Sequence, residues 1–166
     1  VGMMKADVFR RRLLSINPDC NIRVISEFIR DDRMIEILQD KNYDYVVDAI
    51  DTVAPKVALI TYCLDKNISI ISSMGAGGRL DPMKIEYADL WSTREDGLAR
   101  VIRQRLKKSG HKRPLKVVYS SEVPRQNALI ELNQDNKRTS FGTLAPIPSI
   151  FGIYLANHVI REIAEV

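Results

Sequence analysis

Tyr45-Val46-Val47-Asp48-Ala49-Ile50-Asp51-Thr52 is the stretch on which the fold turns. Residues 45–50 form an apolar run broken only by Asp48, residues 53–64 follow at helical length, and residues 68–71 are apolar again except for Ser69. Two short runs rich in β-branched residues, separated by a helix-length segment, predict a βαβ unit with both strands buried on both faces.

Upstream, Val8, Leu13, Leu14 and Ile16 alternate with Lys5, Asp7, Arg10, Arg11 and Arg12, so residues 4–16 are expected to form a helix with one buried side, ended by Asn17-Pro18. Residues 22–25 read as a strand, and Asp31-Asp32 supplies cap chemistry for a helix through Met34, Ile35, Ile37 and Leu38. Downstream, Gly75-Ala76-Gly77-Gly78 reads as a flexible loop, 85–90 as a strand, 95–108 as a basic amphipathic helix and 117–120 as a strand. Residues 125–142 are polar and read as a mobile loop, whereas 147–163 have the apolar density of a buried or dimer-facing helix. Alternating helices and strands of these lengths give an α/β class: a partial, doubly wound, mostly parallel, Rossmann-like sheet with a carboxyl-terminal extension.

With 166 residues and 45% hydrophobic content, one domain over 1–166 with its own core is expected. No apolar run approaches the roughly 20 residues that span a bilayer. Cys20 and Cys63 are the only cysteines, which excludes a four-cysteine zinc site in this chain and fits a reducing cytoplasm. The start, Val1-Gly2-Met3-Met4-Lys5, has neither an initiating Met nor a signal pattern and reads as an interior point of a longer protein.

Asp51 falls just beyond a strand, and open α/β sheets place their ligand crevice at the carboxyl ends of strands. A carboxylate there can hold Mg2+ or the ribose and phosphate region of a nucleotide; equally, Asp51-Thr52 can simply cap the following helix. Lys5, at the mouth of the first helix, can reach a triphosphate or belong to a solvated face. Cys63, on an apolar helix, reads as a small buried hydrophobe, and His158 as a packed residue. A basic run through Arg100, Arg103, Arg105, Lys107, Lys108, Lys112, Arg113 and Lys116, in a chain of net charge +4, has the density of a phosphate-contacting RNA surface or of a solvated face.

Lys5, Ile16-Asn17-Pro18, Val47-Asp48-Ala49-Ile50-Asp51 and Gly75-Ala76-Gly77-Gly78-Arg79-Leu80-Asp81-Pro82, in this order, resemble the E1-like adenylating superfamily. The segments Ala76 to Pro82, Ala88-Asp89-Leu90, the basic helix and Ser120-Ser121-Glu122 resemble, within it, the tRNA threonylcarbamoyladenosine dehydratases. The resemblance implies ATP and Mg2+ as cofactors and Lys5 as the ATP-contacting lysine. It makes Asp51 the catalytic, nucleotide-binding and metal-binding carboxylate, with Thr52 beside it in the nucleotide site. The family's glycine-rich nucleotide loop, ribose-binding acid and arginine-bearing helix would precede Val1. The implied reaction is a cyclising dehydration of N6-threonylcarbamoyladenosine in tRNA through an acyl-adenylate, with no enzyme nucleophile. The implied partners are tRNA, held through Arg103, Lys107, Lys108, Lys112 and Arg113, a second copy of the chain, and a sulfur-transfer or desulfurase protein. Two other readings are an adenylyltransferase for a ubiquitin-like sulfur carrier, which the lack of Cys-x-x-Cys pairs disfavours, and a non-catalytic RNA-binding or dimerisation module.

Overall fold

The computed structural model describes residues 2–29, 31–125, 128–134 and 137–166. It divides into two compact units, Val1–Arg30 and Asp31–Val166. The first contains α1 (Lys5–Ile16), which stops before Asn17-Pro18 as expected. None of its residues is buried, so the expected buried side is not formed. Val8, Leu13 and Ile16 stand exposed instead. Residues 22–25 form no strand: among the described residues no neighbouring strand pairs with their backbone, and a β-branched run without a ladder partner stays irregular.

The second unit runs α2 (Asp31–Gln39), β1 (Val46–Asp48), α3 (Val53–Lys66), β2 (Ile70–Ser73), β3 (Ile85–Asp89), α4 (Gly97–Lys108), β4 (Lys116–Ser120), β5 (Leu129–Gln134), β6 (Lys137–Phe141) and α5 (Pro146–Ala164). Four strands form one sheet in the order β1-β2-β4-β3. The pairs β1–β2 and β2–β4 are parallel, and β3 runs antiparallel along β4. The sheet is therefore mostly parallel, as its α/β alternation requires. β1 is an edge strand with Val47 exposed, so the expectation of strands buried on both faces holds for β2 and fails for β1.

Strand alternation assigns the two faces. Ile71, Ile85 and Val118 pack with Ile147, Phe151 and Leu155 of α5. Asp48 and Ser72, paired in register, point the other way, where Lys56 of α3 meets them. On that side α3 packs against β1, β2 and α4. Ile60 and Cys63 of α3 and Ile102 and Leu106 of α4 are sealed from solvent.

Residues 125–142, expected as a loop, contain the antiparallel hairpin β5–β6. Its base is closed by Gly142 N–H donating to Ala128 O at 2.7 Å and is tied to the glycine loop by Gly78 N–H donating to Gly142 O at 2.9 Å. The ladder itself is local, pairing Leu129 with Phe141 and Ile130 with Ser140, and the polar composition of the segment does not announce it.

Candidate active site

One buried carboxylate at the carboxyl end of β1 ties together Ile50, Ser72 of β2 and Lys56 of α3. Asp48 is fully buried. Its Oδ1 accepts from Ile50 N–H at 2.9 Å, and its Oδ2 accepts from Ser72 Oγ–H at 2.5 Å. Lys56, also without exposure, places Nζ 2.7 Å from Asp48 Oδ2 and donates to Ile50 O at 3.0 Å. Burial pushes the ammonium's pKa down, and the charges of Asp48, Asp51 and Asp96 oppose that push. A buried lysine is tolerated only with such partners.

The second support is the loop after β2. Asp96 caps α4, accepting from Ala99 N–H at 2.8 Å, and accepts from Gly75 N–H at 2.9 Å. Arg79 is 1% exposed and donates to Ser120 O at 3.0 Å and Glu95 O at 2.8 Å, with Nη2 3.5 Å from Asp96 Oδ2. Burial holds the Asp96 carboxyl above its ordinary range, while the Ala99 N–H, the Arg79 guanidinium and the Gly75 N–H draw it back. Glu122 accepts from the N–H groups of Leu80 and Asp81, both at 2.9 Å. The loop expected to be flexible is thus pinned at both ends. Its glycines admit Phe141: a Cβ on Gly77 would lie 2.7 Å from the Phe141 Cβ, and Gly78 has φ +72°.

Between these supports opens a cleft of about 460 Å3, within the usual range for a small-molecule site. Ala49, Ile50 and Asp51 form one lip, Gly75 to Gly77 and the amino end of α4 another, and Phe141, Phe151 and Leu155 an apolar wall. Asp51 is exposed at this lip. Thr52 is the N-cap residue of α3 without a side-chain cap bond, and it does not line the cleft. Among the described residues Asp51 and Asp96 are the carboxylates of the lining, and Asp96 accepts from the N–H groups of Gly75 and Ala99. Among the described residues no group of three His, Cys, Asp or Glu side chains can hold a metal. Lys5 is exposed on α1, in the other compact unit.

The basic residues divide. Lys107, Lys108 and Lys112 are exposed. Arg103 donates to Leu90 O at 3.1 Å and to Thr93 Oγ1, and Arg113 donates to Leu64 O at 2.7 Å and Asn67 Oδ1 at 2.6 Å. Cys63 is buried, its thiol pushed up to about 11 by burial and by Asp48, as suits a packing residue.

Lys56, Arg79 and Asp96 are the site residues that sequence reasoning missed. One of them carried a signal: Asp48 and Lys56 are opposite charges set inside the apolar runs of one βα unit, a pattern that implies a buried pair.

The ThiF family model matches residues 1–166. The chain is 32% identical to the tRNA threonylcarbamoyladenosine dehydratase of Bacillus subtilis, over 99% of this chain and 68% of that protein. The crystal structure of the Escherichia coli tRNA N6-threonylcarbamoyladenosine dehydratase in complex with ATP superposes with a TM-score of 0.85 at 32% identity, covering 99% of this chain and 65% of that one. The same enzyme in complex with AMP gives a TM-score of 0.83 at 33% identity, covering 99% and 66%. The chain spans about two thirds of the length of these relatives.

Proposed function

The chain belongs to the ThiF family and, within it, to the tRNA threonylcarbamoyladenosine dehydratases, and from that premise we propose that its cleft takes part in the ATP-dependent dehydration of N6-threonylcarbamoyladenosine in tRNA. The observation that carries the reading is Asp51, exposed at the carboxyl end of β1 on the lip of a nucleotide-sized cleft. ATP bound to a relative supports the co-substrate.

In this reading a carboxylate oxygen of the threonyl group attacks the α-phosphorus of ATP, and the bond to pyrophosphate breaks. The carbamoyl group then attacks the activated acyl carbon, closing a five-membered ring as AMP departs with the former carboxylate oxygen. Water is lost overall, its oxygen carried in AMP. No enzyme nucleophile takes part, in keeping with a buried Cys63. Asp51 orients the nucleotide, and the apolar wall of Phe141, Phe151 and Leu155 limits access of water to the acyl-adenylate. Mg2+ fits this lip: it keeps most of its waters and needs one or two carboxylates besides substrate phosphates. Asp51 would hold it, and when bound it neutralises phosphate charge. Thr52, next to Asp51 but outside the cleft lining, and Lys5 are assigned to nucleotide binding by the family resemblance alone. One domain over 1–166 accords with the extent of the family match.

tRNA is held by Lys107, Lys108 and Lys112, with Arg103 and Arg113 adding positive field from side chains already hydrogen-bonded internally. Exposed Ile153, Ile160 and Ile163 on α5 favour a homodimer, against which a monomer in sedimentation would count. A sulfur-transfer or desulfurase protein is a further partner. No helix among the described residues is long and apolar enough to cross a membrane, and a tRNA substrate supports a cytoplasmic location.

The test supplies ATP, Mg2+ and tRNA carrying the modified adenosine to the protein. AMP and pyrophosphate are expected in equal amounts, with a nucleoside lighter by one water. Asp51→Ala is expected to lower ATP–pyrophosphate exchange by about 100-fold or more, as loss of a charge-stabilising group does, with the protein still folded because Asp51 is exposed. Wild-type exchange in that variant would reduce Asp51 to a surface residue before a helix.

A further inference from the structure

The turn that carries Asp51 is held by a lysine with no access to solvent. The Ile50 residue is gripped from both sides: its N–H by Asp48 Oδ1 at 2.9 Å and its carbonyl by Lys56 Nζ at 3.0 Å. The same ammonium lies 2.7 Å from Asp48 Oδ2, both side chains wholly buried. Lys56 thereby closes a ring of bonds running from β1 through α3 to the residue before Asp51, and Ser72 ties that ring to β2.

We propose that Lys56 is a positioning residue for the adenylation step, its ammonium fixing the Asp48–Ile50 turn and so the aim of Asp51 at the nucleotide. The proposal rests on the reading of the cleft given above. An apolar pair of similar volume would often be as stable as a buried ion pair or more so. It would offer no donor for the Ile50 carbonyl, and the turn would lose one of its two anchors. Lysine suits the task because its compact ammonium has several donors and no acceptor, so one group reaches a carboxylate and a carbonyl together. Removing Lys56 alone strands Asp48 and tests folding before function. Replacing both partners by uncharged side chains separates the two.

The experiment compares wild type, Asp51→Ala and the double variant Asp48→Asn with Lys56→Met. Stability, kcat, KM for the modified tRNA and the Mg2+ concentration giving half the maximal rate are measured. The expected result is a folded double variant whose kcat falls by about 100-fold, the size of effect that a misplacement near 1 Å produces. Its half-maximal Mg2+ concentration rises and its KM for tRNA is unchanged. A folded double variant with wild-type kcat and Mg2+ dependence overturns the proposal, as does a rise in KM for tRNA without loss of kcat. If this variant does not fold, Asp48→Asn with Lys56→Leu is read in the same way, since it likewise leaves no side-chain donor for the Ile50 carbonyl. Asp51→Ala separates the levels: activity retained there removes the reading of the cleft, whereas an inactive Asp51→Ala beside an unaffected double variant removes the role of Lys56 alone.

Discussion

The floor of the cleft and the outer face of α4 both carry charge, and they use it in opposite ways. Beneath the cleft, Asp48, Lys56, Arg79 and Asp96 are buried and bond to one another, to Ser72 and to backbone groups, with Arg79 Nε alone among their described polar atoms left without a hydrogen bond. On α4, Arg100, Arg105, Lys107 and Lys108 stand in solvent while Ala99, Ile102 and Leu106 face the core. Buried charges act through directional bonds, so each fixes a piece of geometry and its loss leaves a partner stranded. Exposed charges act through a screened field, so each adds a small, salt-dependent increment to binding. A single substitution should therefore damage the first region severely, whereas the second should yield only to several.

The largest stability effect is expected from Asp96→Ala. It removes the N-cap of α4, the anchor of Gly75 and the counter-charge of Arg79. Breaking a buried pair costs about 3–5 kcal/mol, and at about 2–4 °C per kcal/mol for a chain of this size the melting temperature should fall by roughly 10 °C. Lys107→Ala with Lys108→Ala should leave stability unchanged within about 0.5 kcal/mol. Equal melting temperatures for the two variants would erase the distinction between the regions.

On the α4 side, Lys107→Ala, Lys108→Ala and Lys112→Ala together are expected to weaken tRNA binding and flatten its log-log salt dependence by up to about 0.7–0.9 for each phosphate no longer neutralised. Arg113→Ala sharpens the contrast. Its guanidinium holds Leu64 O and Asn67 Oδ1 at the end of α3, so its removal should lower stability by about 1–2 kcal/mol with a smaller change in salt slope than the triple variant. A steeper loss of tRNA affinity in Arg113→Ala than in the triple variant would move the RNA surface away from the lysines.

The same division explains what is legible in the sequence. The βαβ unit of 45–71 can be read because its signals are local: apolar runs, helical length and strand-forming composition. Even there β2 begins at Ile70, because Ile68 N–H donates to Cys63 O at 2.8 Å and completes the end of α3. The basic face of α4 can be read from spacing, but periodicity cannot show that Arg103 and Arg113 turn back onto carbonyls. Asp51 follows from its place after a strand. Arg79 escapes because its partners lie 16 to 41 residues away, Asp96 because its tie to Gly75 spans 21 residues although its cap bond to Ala99 is local, and the β5–β6 hairpin because its segment is polar and lacks a clear apolar alternation.

The smallest effect belongs to a group between these extremes, the half-buried His158 on α5. Its Nε2 lies 3.0 Å from the Tyr45 hydroxyl, and its Nδ1 lies 3.9 Å from Glu162 Oε1. Burial lowers its pKa, Glu162 opposes that, and Lys116 and Arg161 add to it. Because the folded-state pKa lies below the unfolded value of about 6.5, the unfolded chain binds more protons between those two values. Stability from this group is then complete above the unfolded pKa and is lost as pH falls through the window beneath it. The melting temperature of wild type should accordingly drop more between pH 7 and pH 5 than that of His158→Gln, which keeps a polar partner for Tyr45 and does not titrate. Carboxylates titrating elsewhere lower both proteins alike, so the difference between the two drops isolates the histidine. A larger drop in His158→Gln would reverse the sign, making the neighbouring Glu162 carboxylate the dominant influence and His158 a cation that stabilises the fold at low pH.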